Sequence, residues 1–526
     1  MALVVRSIFF WATHYSILPY GDTYGEYGTM RSFFNVAKVF SIPTAPQYAA
    51  IPAQTLNVYS SWPALPILGM QISLICNIDN FTVALLLPWA YLVICLLFLY
   101  LIMKLLIDRF NLNIWVFIIA LVMAVFSPLF YMLPLFIHSF AGPVILSILF
   151  YLIGKSFPDI SVNSVILIIL FLISLVVTHH HTSVVFTLYM FFTGLFIYVF
   201  IYVYKNIKNN KSIPSVKYSV FLNLGLVAAA IIYVWWNYST GQIWSYVGTG
   251  IIRFIKFIRE INFELYTFQG YMTSIPAILS PDWALLLLLI RNITMYVSIL
   301  FGLFLLFKHK ADIRFKILLI SSIVFGLAIL VIDSTVFWMG PFRALYLFMP
   351  FFAVCSALLY ETIRVRLKAF GNYLIGFILF IWMFSAFIGL WATVRYVPLH
   401  LYDPAVSFND AGEHPMGWQN LKPFFSSKMD YANVDSIISD ETYTLSLLLP
   451  QDQWNKARVL GQMGSQISPK SLIVILTNFN VLNSYMTQGY KRDSDINYNE
   501  SDFKYKLDSD CNQIYSDNNF QVWYNW

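Results

Sequence analysis

FTVALLLPWAYLVICLLFLYLIMK, residues 81 to 104, carries a single charge, and that at its last position. As an α-helix it reaches about 36 Å, enough to cross the roughly 30 Å of hydrocarbon in a bilayer. Outward from it the pattern repeats. Further apolar runs lie near 113–134, 138–154, 162–178, 182–204, 218–237, 283–307, 316–337, 342–360 and 372–394. The start, MALVVRSIFFWATHYSILP, is shorter than a span, is interrupted by Arg6 and His14, and lacks the small-residue cleavage site of a signal peptide. It reads as the outer end of a first helix, which brings the expected total to about eleven.

Composition agrees. Of 526 residues 59% are hydrophobic and 11% charged, against about a quarter charged in soluble domains, and the mean hydropathy is +0.69. The net charge of +6 is no nucleic-acid signal, because the basic residues sit in short loops between apolar runs. Cys76, Cys95, Cys355 and Cys511 are scattered and show neither metal spacing nor a disulfide framework.

Every second loop is basic. The loops hold Lys104 and Arg109; Lys155; Lys205, Lys208, Lys211 and Lys217; Lys308, Lys310, Arg314 and Lys316; and Arg364, Arg366 and Lys368. The positive-inside rule places these five in the cytoplasm. The alternation holds if WPALPILGMQISLICNI (62–78) does not cross, so that segment is read as a proline-led juxtamembrane helix. The opposite, extracytoplasmic face then receives the first loop (19–80), His138, the turn Thr178 to His181, a long loop (238–282), Asp333 to Arg343, and everything after Arg395. Loops assigned by lysine have gathered the unusual polar residues on one surface.

The expected fold is therefore a mainly α-helical polytopic membrane domain (1–395) followed by a small extracytoplasmic α/β domain (396–526). Within the tail, NVDSIISDETYTLSLLL reads as strand, turn and helix, SLIVILT as a buried strand, and QIYSDNNFQVWY as two strands around an Asp-Asn-Asn turn.

Several side chains could carry chemistry. In GDTYGEYG (21–28), Asp22 and Glu26 share a face if the segment is helical; if it is a loop, Gly21, Gly25 and Gly28 let the backbone approach a ligand. A carboxylate desolvated at a membrane edge can serve as a general base; the plain alternative is a solvated acidic loop. Arg291, inside LLLLLIRNITMYV, faces a partner or a wet cavity, or else snorkels to the interface. Arg343 opens a span, suited to bidentate phosphate binding or to simple anchoring. In GIIRFIKFIREINFE (250–264), Arg253, Lys256 and Arg259 form the basic stripe of an interfacial helix that holds anionic headgroups or steers a lipid phosphate. His138, His179 and His180 are candidate substrate contacts. Because His179 to His181 are consecutive and lack an acidic partner at ligand spacing, no metal is assigned to them.

These features together resemble the GT-C superfamily of membrane glycosyltransferases, particularly its prokaryotic and archaeal members. The similar stretches are GDTYGEYG, NVYSSWPALPIL, THHHTS, FWMGPFRALYLFMPF, and the tail's IISDETY and NNFQVWY. The resemblance implies an enzyme that moves a sugar from a polyprenyl-phosphate carrier to a lipid, glycan or protein on the outer leaflet. It implies Asp22 as the base and Glu26 as a residue that orients the acceptor or shares a divalent cation. Arg343 and Arg291 would then neutralise the carrier phosphate. The acids here are four apart rather than adjacent or two apart, which leaves metal use open. The Trp-Trp-Asp signature of the oligosaccharyltransferase branch is missing, since the pair in VWWNYST is followed by Asn237. Other readings are a transporter or flippase of polyprenyl-linked lipids, a surface-polysaccharide polymerase or ligase, and a non-catalytic scaffold. A transporter would want paired midplane charges and repeat symmetry, which the sequence lacks.

Overall fold

The computed structural model describes residues 63–126, 138–207, 218–239, 282–335 and 342–399, five strands between 436 and 524, and the single positions Met30, Ile252 and Ile255. The chain divides into two compact units. One comprises Met1–Ala2, Leu86–Pro134 and His138–Thr393; the other comprises Leu3–Leu85, Leu135–Ile137 and Val394–Trp526.

The second unit holds helix α1 (Ala64–Cys76). Asn77 ends it in the left-handed region, φ 53°, a conformation that asparagine tolerates better than most residues. Asp79 then starts helix α2 (Asn80–Phe110) by accepting the Thr82 backbone N–H at 2.9 Å. The same unit carries a five-stranded sheet of β1 (Ser436–Ser439), β2 (Ala457–Val459), β3 (Leu472–Thr477), β4 (Asn512–Ser516) and β5 (Phe520–Tyr524), in the order β2-β1-β3-β5-β4. Strand β1 pairs parallel with both β2 and β3. Strand β5 runs antiparallel to β3 and β4, with Ile473 opposite Tyr524 and Thr477 opposite Phe520. Strands β3, β4 and β5 fall on SLIVILT and QIYSDNNFQVWY. The helix read into the segment after β1 lies outside the described residues.

The first unit continues α2 and adds α3 (Ile114–Val125), α4 (His138–Ser156), α5 (Val162–Thr178), α6 (His180–Ile207), α7 (Tyr218–Ser239), α8 (Asp282–Lys308), α9 (Ile313–Thr335) and α10 (Phe342–Leu399) as far as Thr393. Asn113 and Ser161 cap α3 and α5 by accepting the N–H of Val116 and Ser164. Five segments are long and apolar enough to cross a bilayer: Thr82–Phe110, His180–Val203, Tyr218–Asn237, Ile313–Leu330 and Leu347–Ser385. Shorter apolar helices accompany them. The protein is a multi-pass membrane protein. The expected first helix (1–19) lies outside the described residues, and the run 113–134 is described as helix only to Val125.

The two expected spans 342–360 and 372–394 are both present, as two helices that make up α10 and meet at a sharp break. Between them the sequence offers charges but no early Gly or Pro, and an i,i+3 ion pair, Glu361 with Arg364 at 2.6 Å, keeps the helix running. The chain breaks at Lys368, φ 51° and ψ −125°. Gly371 follows, so close beneath the break that a Cβ there would stand 2.6 Å from the Arg364 carbonyl oxygen.

Four of the basic loops converge on one end of this unit. The Arg109 guanidinium lies 4.5 Å over the Phe315 ring, and Phe110 faces His309. Phe157 packs edge-on against both Phe221 and Phe315. Asn113 donates to Glu361 at 2.6 Å, and Arg364 lies over Trp115. The start of α7, which follows the lysine-rich segment 205–217, is brought to the same end by Phe221. Loops grouped by charge in the sequence are thus grouped in space.

In the loop between α8 and α9, Asp312 accepts a forked pair of bonds from Arg314, at 3.0 and 2.7 Å to one oxygen. That side-chain hydrogen bonding holds the Asp312 carboxyl below its ordinary value of 3.8. A carboxyl lowered by folding contributes stability above its unfolded pKa and loses it as pH falls through the folded one. Both side chains are about one-third exposed. Asp312→Asn is therefore expected to cost only about 0.5 kcal/mol near neutrality. In thermal unfolding, the gap between wild type and variant should close below about pH 4.

The interior is aromatic. Phe150, Tyr189, Phe325, Phe348 and Phe351 pack with tilted or edge-on rings, Phe150 lying 5.2 Å from both Tyr189 and Phe351. The Tyr189 hydroxyl is satisfied inside the membrane by Ser322 at 2.8 Å. Helices α8 and α10 approach through small residues, as membrane helices commonly do. Ser298 donates to Ser356 at 2.9 Å, and the Cys355 thiol reaches the Ile299 carbonyl at 3.3 Å.

Candidate functional site

Helix directions locate the candidate residues of the first unit. With one end fixed by the basic loops, α4, α8 and α10 begin at the other end, and the α5–α6 junction lies there too. His138 opens α4 and Arg343 lies in the first turn of α10. Arg291 stands 17 residues from Lys308, about 25 Å from the basic end. That is close to the far edge of a hydrocarbon layer roughly 30 Å thick.

The α5–α6 junction is built around His179. Its backbone is extended, φ −154° and ψ 116°, so α5 stops at Thr178. The His179 N–H donates back to the Leu175 carbonyl, and its own carbonyl accepts the first bond of α6, from Ser183. The imidazole is fully buried and its Nδ1 bonds the Thr182 hydroxyl at 2.5 Å. Gly142 makes the room. A Cβ on Gly142 would lie 2.7 Å from the His179 Cβ and 2.8 Å from its Nδ1. The three imidazoles lie near one another, with ring centres 5.3 Å apart for His179 and His180 and 6.1 Å for His179 and His181. His179 therefore has a clear structural task, joining two helices, which the sequence reading had not assigned.

Arg291 is 1% exposed and Trp382 is 0% exposed. The guanidinium lies over the Trp382 ring, 5.9 Å from its centre. Trp382 sits 14 residues past the Lys368 break, about 21 Å up the returning half of α10, which is why it meets Arg291 at depth. Snorkelling, the plain alternative for Arg291, does not occur, since its side chain is sealed from solvent. Trp382 was missed by sequence reasoning because FILFIWMFSAF offers no charged neighbour and only Ser385 as a polar one to mark it.

Asp22, Glu26, Arg253 and Arg259 lie outside the described residues. Among the described residues no group of three His, Cys, Asp or Glu side chains is placed to hold a metal ion.

The chain has the fold of the GT-C membrane glycosyltransferases. The match that carries this is ArnT from Cupriavidus metallidurans bound to undecaprenyl phosphate, with a TM-score of 0.51 over 100% of this chain and 96% of that one, at 11% identity. Weaker overlays are found with the same ArnT in the apo state (0.48, 10% identity, covering 99% and 97%). The Archaeoglobus fulgidus oligosaccharyltransferase with zinc and sulfate gives 0.47 at 12% identity, covering 91% of this chain and 68% of that one. No family model matches the sequence, and no curated protein is similar to it in sequence.

Proposed function

We propose that this protein is a membrane glycosyltransferase. It takes a sugar from a polyprenyl-phosphate-linked donor and gives it to a lipid, glycan or protein acceptor on the extracytoplasmic face. The observation that carries this reading is the full-length likeness to a structure that holds undecaprenyl phosphate. The positive-inside rule supports the side, since the basic loops cluster at one end and the candidate residues of the helical unit at the other. On the same reading the C-terminal sheet is extracytoplasmic.

In the reaction, an acceptor hydroxyl oxygen attacks the anomeric carbon of the donor sugar. Asp22 accepts the hydroxyl proton as the new C–O bond forms. The bond from the anomeric carbon to the carrier oxygen breaks, and its electron pair leaves on the carrier phosphate. Arg343 and Arg291 offset that developing charge, the largest expected contribution to rate in a site shielded from water. Glu26 orients the acceptor or shares a divalent cation with Asp22. His138, His179 and His180 belong to the same end of the helical unit as the two arginines. Arg253 and Arg259 steer the lipid headgroup.

Sealed liposomes test the class. With a panel of radiolabelled polyprenyl-phosphate sugars, the purified protein is expected to release or transfer sugar without exchanging the donor between leaflets. Donor exchange between leaflets with no sugar release would overturn the enzyme reading in favour of a transporter.

A further inference from the structure

We infer that the basic end of the helical unit holds an anionic phospholipid, with an acyl chain in an apolar groove and the headgroup on Arg109. The site lies at the opposite end from the candidate residues of the glycosyltransferase reading and does not depend on that reading. The groove runs between α2, α4, α9 and α10, and its walls include Ile102, Leu106, Ile153, Leu318 and Phe351. From Ile102 to Arg109 it follows α2 for two turns, about 10 Å. Tyr189 also lines it, but the Tyr189 hydroxyl is already bonded to Ser322, so only the ring is offered to a ligand. Arg109 is the one charged residue of the lining among the described residues, and it stands exposed at the basic end.

The chemistry of the groove selects the ligand. No carboxylate lies at ion-pair distance from Arg109 among the described residues, and Asp312, near enough to feel its charge, is bonded by Arg314 instead. The Phe315 ring, 4.5 Å from the guanidinium, holds it by one face at the mouth of the groove and leaves its N–H groups for another partner. Hydrocarbon suits the walls, and an anion suits the cation at the mouth, so the ligand is an amphiphile charged at one end. The bilayer supplies it. The positive-inside rule puts this end at the cytoplasmic leaflet, whose anionic lipids give it a negative surface potential. A zwitterionic phospholipid offers the same chain, but its own ammonium offsets the charge of its phosphate.

The test extracts the full chain from nanodiscs that contain both phosphatidylglycerol and phosphatidylcholine, and reads the lipid retained by mass spectrometry of the intact protein. Wild type is expected to keep one phosphatidylglycerol in preference to phosphatidylcholine. Arg109→Gln is expected to lower that preference about tenfold or more, the loss of a hydrogen bond to a charged group. Lys308→Gln removes a charge at the same end, stacked on Phe304 of its own helix and outside the groove. It should lower the preference by no more than about fivefold, the share of one basic residue near a leaflet surface. Leu106→Trp fills the groove without a change of charge and should release the lipid, which gives the answer even if the arginine variant fails to fold. Equal losses from Arg109→Gln and Lys308→Gln, a lipid retained in Leu106→Trp, or no preference in the wild type would each overturn the site. Sugar transfer is assayed separately and stands or falls on its own.

Discussion

Gly302→Ala is expected to prevent the helical unit from reaching its native packing. A Cβ added at Gly302 would stand 1.9 Å from the Cys355 carbonyl oxygen and 2.6 Å from its carbonyl carbon. Both are backbone atoms in the middle of α10, so no side chain can rotate away to relieve the overlap. The helices α8 and α10 must separate. Separation would also stretch the Ser298–Ser356 hydrogen bond and the Cys355 contact to Ile299. Overpacking of a buried helix contact typically costs 1–3 kcal/mol, and a clash with rigid backbone is expected to reach at least about 3 kcal/mol. Thermal unfolding in detergent, read beside Gly376→Ala, gives the comparison. A Cβ at Gly376 meets nothing within 4 Å, so that variant should unfold like wild type. Equal midpoints for the two variants would show that α8 and α10 do not meet at Gly302.

Asp22→Asn is expected to abolish transfer and leave folding and carrier binding near wild type. The amide has the shape of the carboxylate but cannot take a proton from the acceptor hydroxyl. General-base catalysis is worth about 10²–10⁴-fold, and an acceptor alcohol, weakly acidic and attacking as its proton leaves, depends heavily on it. Carrier binding in this account belongs to the arginines, so the affinity for polyprenyl phosphate should not follow the loss of rate. A parallel loss of both would recast Asp22 as a binding residue.

The architecture of the helical unit was legible because it rests on local quantities. Apolar run length placed α2, α4 to α7 and α8, and lysine counts in the loops foretold which helix ends would meet, as Arg109 on Phe315 and Asn113 on Glu361 show. Strand periodicity likewise found β3 and the β4–β5 hairpin. The two spans of α10 were legible, but the exact place where the first of them ends was not. Arg364 looks like loop by charge, yet Glu361 neutralises it within the helix, and the break comes only at Lys368. The pair of Arg291 with Trp382 was hidden for a different reason. Arg291 announces itself as a charge in an apolar run, but its partner is one aromatic residue among many, chosen by how far the returning half of α10 climbs. Gly142 was equally silent, since its task is to be small opposite His179.

The decisive assay is sugar release from polyprenyl-phosphate sugars in liposomes, with wild type beside Asp22→Asn. Release or transfer by wild type is expected with at least one sugar of the panel, and a loss of at least about 10²-fold in the variant. Equal release by the two proteins would remove Asp22 as the base. Silence from a well-folded wild type across the panel would contradict the glycosyltransferase reading itself.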